Sequence, residues 1–287
     1  MTGDQGLDLY HRTARRAADE VIAGYSTSFG LACRLLGPRV RTHVRAVYAL
    51  VRVADEVVDG PAAEAGLDAA ATRHVLDDLE AHTLRAIEEG FSANLVVHAF
   101  ALTARECGIG EDLVRPFFAS MRSDLEIADH DDRSRRQYVY GSAEVVGLMC
   151  LQAFVNAGRP GTDPADPLVR EGARRLGSAF QEVNFLRDAE HDRTGLGRDY
   201  LGVGDSAAAR TEVLDRIDRD LLAARACIPL LPKDCRRAVA TAHGLFAALS
   251  RRLREENGPG RVRVPNWRKA VIAAKVSLVP SQRGGGA

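Results

Sequence analysis

Two rows of oxygen-bearing side chains stand at helical spacing. Asn184, Asp188 and Asp192 fall at steps of four in Asn184-Phe-Leu-Arg-Asp-Ala-Glu-His-Asp192, and Asp55 and Asp59 repeat the step in Arg52-Val-Ala-Asp-Glu-Val-Val-Asp59. Residues four apart share one helical face, with Cβ atoms about 5–6 Å apart. Each row therefore presents a stripe of oxygen ligands, and two such rows facing each other across a cavity would hold cations between them. Magnesium suits the donors: it takes octahedral oxygen coordination at about 2.0–2.1 Å and is commonly held by one or two carboxylates plus phosphate oxygens. Arg52 shares the face of Asp55. Arg187 is offset from Asp188 by about 100° of helix. Guanidinium groups match phosphate geometry in pairs of hydrogen bonds. Metal and arginine together would make a diphosphate a good leaving group. Its departure leaves a carbocation, so the rest of the cavity must be apolar and dry.

A single Asp pair on an arginine-rich helix is more often a water-facing stripe. Here the first pair sits among Val53, Ala54, Val57 and Val58, and the second follows Ala179, Phe180, Val183 and Phe185. Two rows ending apolar helices bring the inward-facing reading level with the water-facing one.

Apolar residues recur at three and four rather than at two, so the elements that position these rows are helices almost throughout. The pattern predicts helices over 7–23, from a Ser26 or Thr27 cap to Leu36, 38–59, 73–89, 94–107, 111–128, 134–156, 167–192, 207–226, 233–256 and 267–278. Gly60–Ala71, Gly158–Asp166 and the Gly-rich Thr194–Gly204 read as loops. Gly141 and Gly147 lie inside one predicted helix, at a cost of about 1 kcal/mol each. Something must pack close to the backbone there. No repeat and no composition shift marks a boundary, so one all-α domain over 1–280 with a disordered tail at 281–287 is expected.

Of the 287 residues, 46% are hydrophobic and 27% charged, enough to bury a sizeable core. Lys plus Arg equal Asp plus Glu at 39 each, which argues against nucleic acid as a partner. The five cysteines are scattered without a C-x-x-C pair, which fits a reducing compartment. No leader and no stretch near the roughly 20 apolar residues of a membrane span is visible. A cytoplasmic location is the expectation.

Several longer motifs then resemble a known family. Tyr25-Ser-Thr-Ser-Phe29, Ala46-Val-Tyr-Ala49 and the Arg52–Asp59 segment resemble the first signature of the squalene/phytoene synthases. Phe180-Gln-x-x-Asn-Phe-Leu-Arg-Asp-x-x-x-Asp192 resembles their second, followed by Gly197-Arg-Asp-Tyr-Leu201. Tyr138-x-Tyr-Gly-Ser-Ala-x-Val-Val-Gly147 is similar to the family's central helix, and Arg261-Val-Arg-Val264 to its C-terminal element. The similarity is greatest to bacterial phytoene synthases. It implies a single-domain class I isoprenoid synthase fold and head-to-head condensation of two geranylgeranyl diphosphates through a cyclopropylcarbinyl diphosphate, with Mg²⁺ and without NADPH.

Carried over by position, Asp55, Asp59, Asp188, Asp192 and Asn184 match the metal ligands. Ser26, Ser28, Tyr48 and Arg52 match contacts to the first diphosphate. Phe29, Tyr138, Ala143, Gly147 and Gln181 match the tail cavity, and Arg187 and Arg261 match basic residues near a diphosphate. Cys33 lies one turn beyond Phe29, where a small side chain leaves room for a long tail. Glu56 departs from the pattern by replacing a second Asp, and the Asn257-Gly-Pro-Gly260 break is shorter than the family's segment. Squalene or dehydrosqualene synthesis from farnesyl diphosphate, a cyclase on the same scaffold and an inactive helical assembly factor are the other readings. The basic, apolar stretch from Arg261 to Val279 fits either peripheral membrane contact or packing on the core.

Overall fold

The computed structural model describes residues 3–127, 130–159, 165–191, 200–202 and 206–255. Asp192, most of the loop at 194–204, Arg261, the predicted helix at 267–278 and the tail lie outside the described residues.

Every regular element among the described residues is helical. In chain order they are α1 (Gly3–Tyr25), α2 (Thr27–Arg34), α3 (Pro38–Val58), α4 (Pro61–Glu64), α5 (Ala69–Glu89), α6 (Leu95–Cys107), α7 (Glu111–Ser123) and α8 (Asp132–Val139). A π-helical turn, Tyr140–Glu144, joins α8 to α9 (Val145–Asn156). Then come α10 (Pro167–His191), α11 (Ala207–Cys227), a short 3₁₀ turn at Ile228–Leu230 and α12 (Lys233–Glu255).

Local chemistry sets the ends. Pro38 occupies the first turn of α3, where its missing N–H costs nothing. The Asn94 side chain accepts from the Val96 and Val97 amides to start α6, which stops at Gly108 with φ 73°. Three expectations shift. The 60–71 loop contains α4 and the start of α5, because Pro61 begins one helix and Asp68 caps the next by accepting from Ala71 N. The helix predicted to reach Ala128 stops at Ser123, where the chain tightens into i→i+3 bonds from Leu125 to Arg122 and Glu126 to Ser123. The helix predicted from Ser134 starts at Asp132, because Asp131 is its cap.

Helix α3 is central and packs against α1, α5, α6, α7 and α9. Helix α10 packs against α9, the π-helical turn, α11 and α12. The close approach read from Gly141 and Gly147 is present. A Cβ on Gly147 would lie 2.6 Å from the Ala173 carbonyl oxygen, and one on Gly177 of α10 would lie 2.4 Å from that of Ala143. Only glycine lets these two backbones meet. At Gly141 a Cβ would lie 2.2 Å from the Pro116 carbonyl of α7, and the backbone there adopts the wider π turn.

The run Asp132–Asn156 corrects one expectation. It is long and apolar enough, by length and composition, to cross a membrane, and 56% of its apolar window is buried inside the fold. Buried residues of its second half, among them Leu148, Met149 and Leu151, belong to the main hydrophobic core, and Tyr138 and Val139 to a second one, so it reads as a core helix.

Candidate active site

Among α2, α9, α10 and α12, with Val44 of α3 at its edge, lies an apolar cavity of about 250 Å³. Its wall includes Cys33 of α2, Val44 of α3, Ala143 and Gly147 of the central run, Gln181 of α10 and Val239 of α12. Small side chains and glycines dominate this lining, so the void exists because side-chain volume is missing there. Of the residues expected to touch a substrate tail, Cys33, Ala143, Gly147 and Gln181 line it. Phe29 and Ser28 lie on α2, and nothing is described of their side chains.

The acidic rows stand beyond one end of this cavity. Along α10, Asp188 lies seven residues past Gln181, about 10 Å at 1.5 Å per residue. Asp55 belongs to the same end, because Tyr138 feels the Asp55 charge while its ring lies 5.9 Å from that of Phe185, next to Asn184. The Asp55 side chain is recessed and Asp59, one turn on, is exposed. Burial pushes the Asp55 carboxyl up to about 8, and the neighbouring charges of Asp59 and Asp124 add to the effect against the opposing pull of Arg52.

The two rows treat their arginines differently. Arg52 is held by Glu56, one turn along α3, and its guanidinium lies 4.7 Å above the Tyr25 ring. Arg187 closes as a fork on Asp188, with Nε donating to Oδ1 at 3.0 Å and Nη2 donating to Oδ2. The sequence offset of Arg187 therefore does not separate it from the row. Tyr48 is partly buried, and burial raises its phenol above the usual range, opposed by a hydrogen bond with Ser26 and by Arg52. Ser26, Tyr48, Arg52 and Asp55 thus form one group on α3 and the turn before α2. Asn184 is half-buried on α10.

Tyr138 is placed differently from the tail-lining position expected for it. Its hydroxyl donates to Asp124 Oδ2 at 2.7 Å, and the Tyr200 hydroxyl donates to Asp124 Oδ1 at 2.8 Å. Spacing alone gave no signal for Asp124. It lies in the turn after α7, brought to Asp55 only by the tertiary fold. Tyr200 stood in a motif already singled out, but without a role.

The donors fit a hard divalent cation. They are oxygens, and one carboxyl is held in a recess beside like charges that a cation would neutralise. Among the described residues no three His, Cys, Asp or Glu side chains converge on one point. Oxygens from a substrate diphosphate would have to complete any such set.

A helical fold enclosing an apolar cavity with acidic rows at one end defines the class I isoprenoid synthase architecture. The sequence pattern of the squalene/phytoene synthase family matches residues 22–205, and the chain belongs to that family. A 15-cis-phytoene synthase from Paracoccus sp. is 28% identical over 260 residues, covering 84% of this chain and 82% of that one. A 4,4'-diapophytoene synthase from Staphylococcus haemolyticus is 25% identical over 204 residues, covering 71% and 67%. Among solved structures, a dehydrosqualene synthase in complex with ligand superposes with a TM-score of 0.77 at 23% identity, over 93% of this chain and 96% of that one. Membership makes this chain a prenyltransferase that acts on prenyl diphosphates.

Proposed function

We infer that the chain condenses two geranylgeranyl diphosphates head to head, forming phytoene through a cyclopropylcarbinyl diphosphate, with Mg²⁺ and no reductant. The observation that carries this reading is the acidic end of an apolar cavity walled by small side chains, Cys33 among them.

In this reading Asp55, Asp59, Asn184, Asp188 and Asp192 would hold the magnesium ions, which supply positive charge to a departing diphosphate. Arg52 and Arg187 are placed to take phosphate oxygens once Glu56 and Asp188 release them to substrate. Ser26 and Tyr48 bring hydroxyls to the same end. The cavity wall holds the tail, excludes water from the cation and keeps the reacting carbons in register. Each buried CH₂ is worth about 0.8 kcal/mol, so cavity depth translates directly into chain-length choice. A cytoplasmic enzyme touching the membrane surface, where its lipid substrates reside, is the matching setting.

One observation favours a shorter substrate. A cavity of about 250 Å³ is below the roughly 300–1,000 Å³ usual for ligand sites, which suits condensation of two farnesyl diphosphates. Incubation with Mg²⁺, both prenyl diphosphates and no NADPH separates the readings by product mass. A C40 hydrocarbon is expected. A C30 product alone would replace geranylgeranyl with farnesyl diphosphate, and no condensed product from either would overturn the proposal.

A further inference from the structure

Asp124 lies outside both acidic rows, yet both of its carboxylate oxygens are engaged. It is 7% exposed and takes one phenol on each oxygen, Tyr138 at 2.7 Å and Tyr200 at 2.8 Å. Hydrogen bonds onto an ionised carboxylate are about twice as strong as neutral ones, so this pair of bonds fixes both rings. The rings are also packed against one another. Tyr200 stacks on Phe185 with centroids 4.4 Å apart and planes 8° apart, and the Tyr138 and Tyr200 centroids are 5.0 Å apart. The ring of His130 lies over Tyr200 at 5.6 Å.

This aromatic group stands between the two chemical halves of the site. Tyr138 precedes Ser142 by four residues on one helical run, and Ser142 lines the apolar cavity. On the other side, Tyr138 and Asp124 both lie within the electrostatic reach of Asp55. Aromatic ring faces are negative and attract cations, more strongly where water is excluded. A carbocation left after diphosphate departs would arise at this junction.

We propose that Asp124 is a positioning residue that clamps Tyr138 and Tyr200 into a fixed aromatic wall beside the acidic rows, and that this wall, backed by the Asp124 charge, stabilises the cationic stage of the reaction. The proposal rests on the function inferred above and names a component of the same site. No bond to Asp124 forms or breaks. It acts through the tyrosines it holds.

The test uses the full chain with Asp124→Ala, Asp124→Asn and Tyr200→Phe. With Mg²⁺ and prenyl diphosphate, Asp124→Ala should lower kcat on the order of 10²-fold, the usual cost of losing one aimed electrostatic group. KM should move by less than about threefold, because the interaction belongs to the transition state. Asp124→Asn keeps an oxygen acceptor without the charge and should recover roughly tenfold of that loss. Tyr200→Phe removes one of the two donors and should show the same split at smaller size, which keeps the test open if Asp124→Ala folds poorly. The second readout needs neither metal nor substrate. The near-ultraviolet circular dichroism of the tyrosines should collapse in Asp124→Ala and persist in Asp124→Asn, with the far-ultraviolet helix signal unchanged. Unchanged kcat in Asp124→Ala, or a rise in KM alone, would overturn the proposal, as would an unaltered tyrosine signal. Failure of the wild type to turn over any prenyl diphosphate would sink the functional reading instead. The dichroism would then decide the clamp by itself.

Discussion

The two ends of the site are built by opposite rules. At the cavity end the lining is uncharged and closely packed: small apolar side chains, glycines in backbone contact, and cysteines such as Cys33 and Cys150 whose thiols burial pushes up to about 12. At the acidic end the fold works against itself. Asp55 is kept in a recess beside Asp59 and Asp124, while Arg52, the cation nearest in sequence, is engaged by Glu56. Proteins retain such arrangements where a ligand supplies the missing charge. The contrast extends to the two rows, since Asp188 already has the Arg187 fork, whereas among the described residues no arginine forks onto Asp55. Substitutions at the acidic end should therefore cost activity rather than stability, and those at the cavity end the reverse.

The largest effect is expected at Asp55. Asp55→Ala should lower Mg²⁺-dependent turnover by on the order of 10³-fold, the upper range for one aimed charged group. Asp188→Ala should lower it less, because Arg187 is freed to hold phosphate in its place. Product formation at saturating Mg²⁺ measures both. Equal losses would show that the Arg187 fork makes no difference to the second row.

At the cavity end, Gly177→Ala should destabilise without touching the chemistry. The added Cβ would meet the Ala143 carbonyl oxygen at 2.4 Å, so the π-helical turn and α10 must separate. Overpacking of this kind costs about 1–3 kcal/mol, or roughly 2–12 °C in Tm for a domain of this size. A melt scan together with kcat at 20 °C tests the division. A collapse of kcat at unchanged Tm would break it. Cys33→Trp acts on the same wall more gently. It fills cavity volume and should shift a competition between farnesyl and geranylgeranyl diphosphates toward the shorter by about tenfold, the worth of one or two CH₂ groups. Unchanged selectivity would remove Cys33 from the tail wall.

The same contrast decides what could be read without coordinates. Helices were legible because burial on one side repeats every three to four residues, and their ends were legible where one residue sets them, as at Pro38, Asn94 and Gly108. The cavity wall was partly legible, Cys33 from the helical face it shares with Phe29, and Ala143 and Gly147 from the family resemblance. Illegible were features created by distant segments meeting. Asp124 lies 69 positions from Asp55 and 76 from Tyr200, and nothing in a turn after α7 announces that two phenols will converge on it. The direction of Tyr138 was lost for the same reason, since a helical face places a ring but not the partner of its hydroxyl. The 60–71 segment was misread because Pro61 and Asp68 are start signals as well as loop residues.

The smallest expected effect is also the most direct probe of the strain at Asp55. In the metal-free protein burial holds its folded pKa at about 8, above the ordinary aspartate value of 3.8. Between those values the folded state binds more protons than the unfolded one. Stability therefore falls as pH rises through this window. Asp55→Asn removes the titrating group and keeps the shape. Its Tm should match that of wild type near pH 4 and exceed it by about 2–6 °C at pH 8, a gain kept small because water can enter the recess and screen the charge. Asp188→Asn should show no such gain, because it leaves Arg187 without its carboxylate. Adding Mg²⁺ with inorganic diphosphate should raise the wild-type Tm and leave Asp55→Asn nearly unmoved, since a ligand stabilises only the state that binds it. If Asp55→Asn melts at the wild-type temperature at both pH values, the charge at the acidic end is not held at a cost. The opposition between the two ends would then reduce to a difference in exposure.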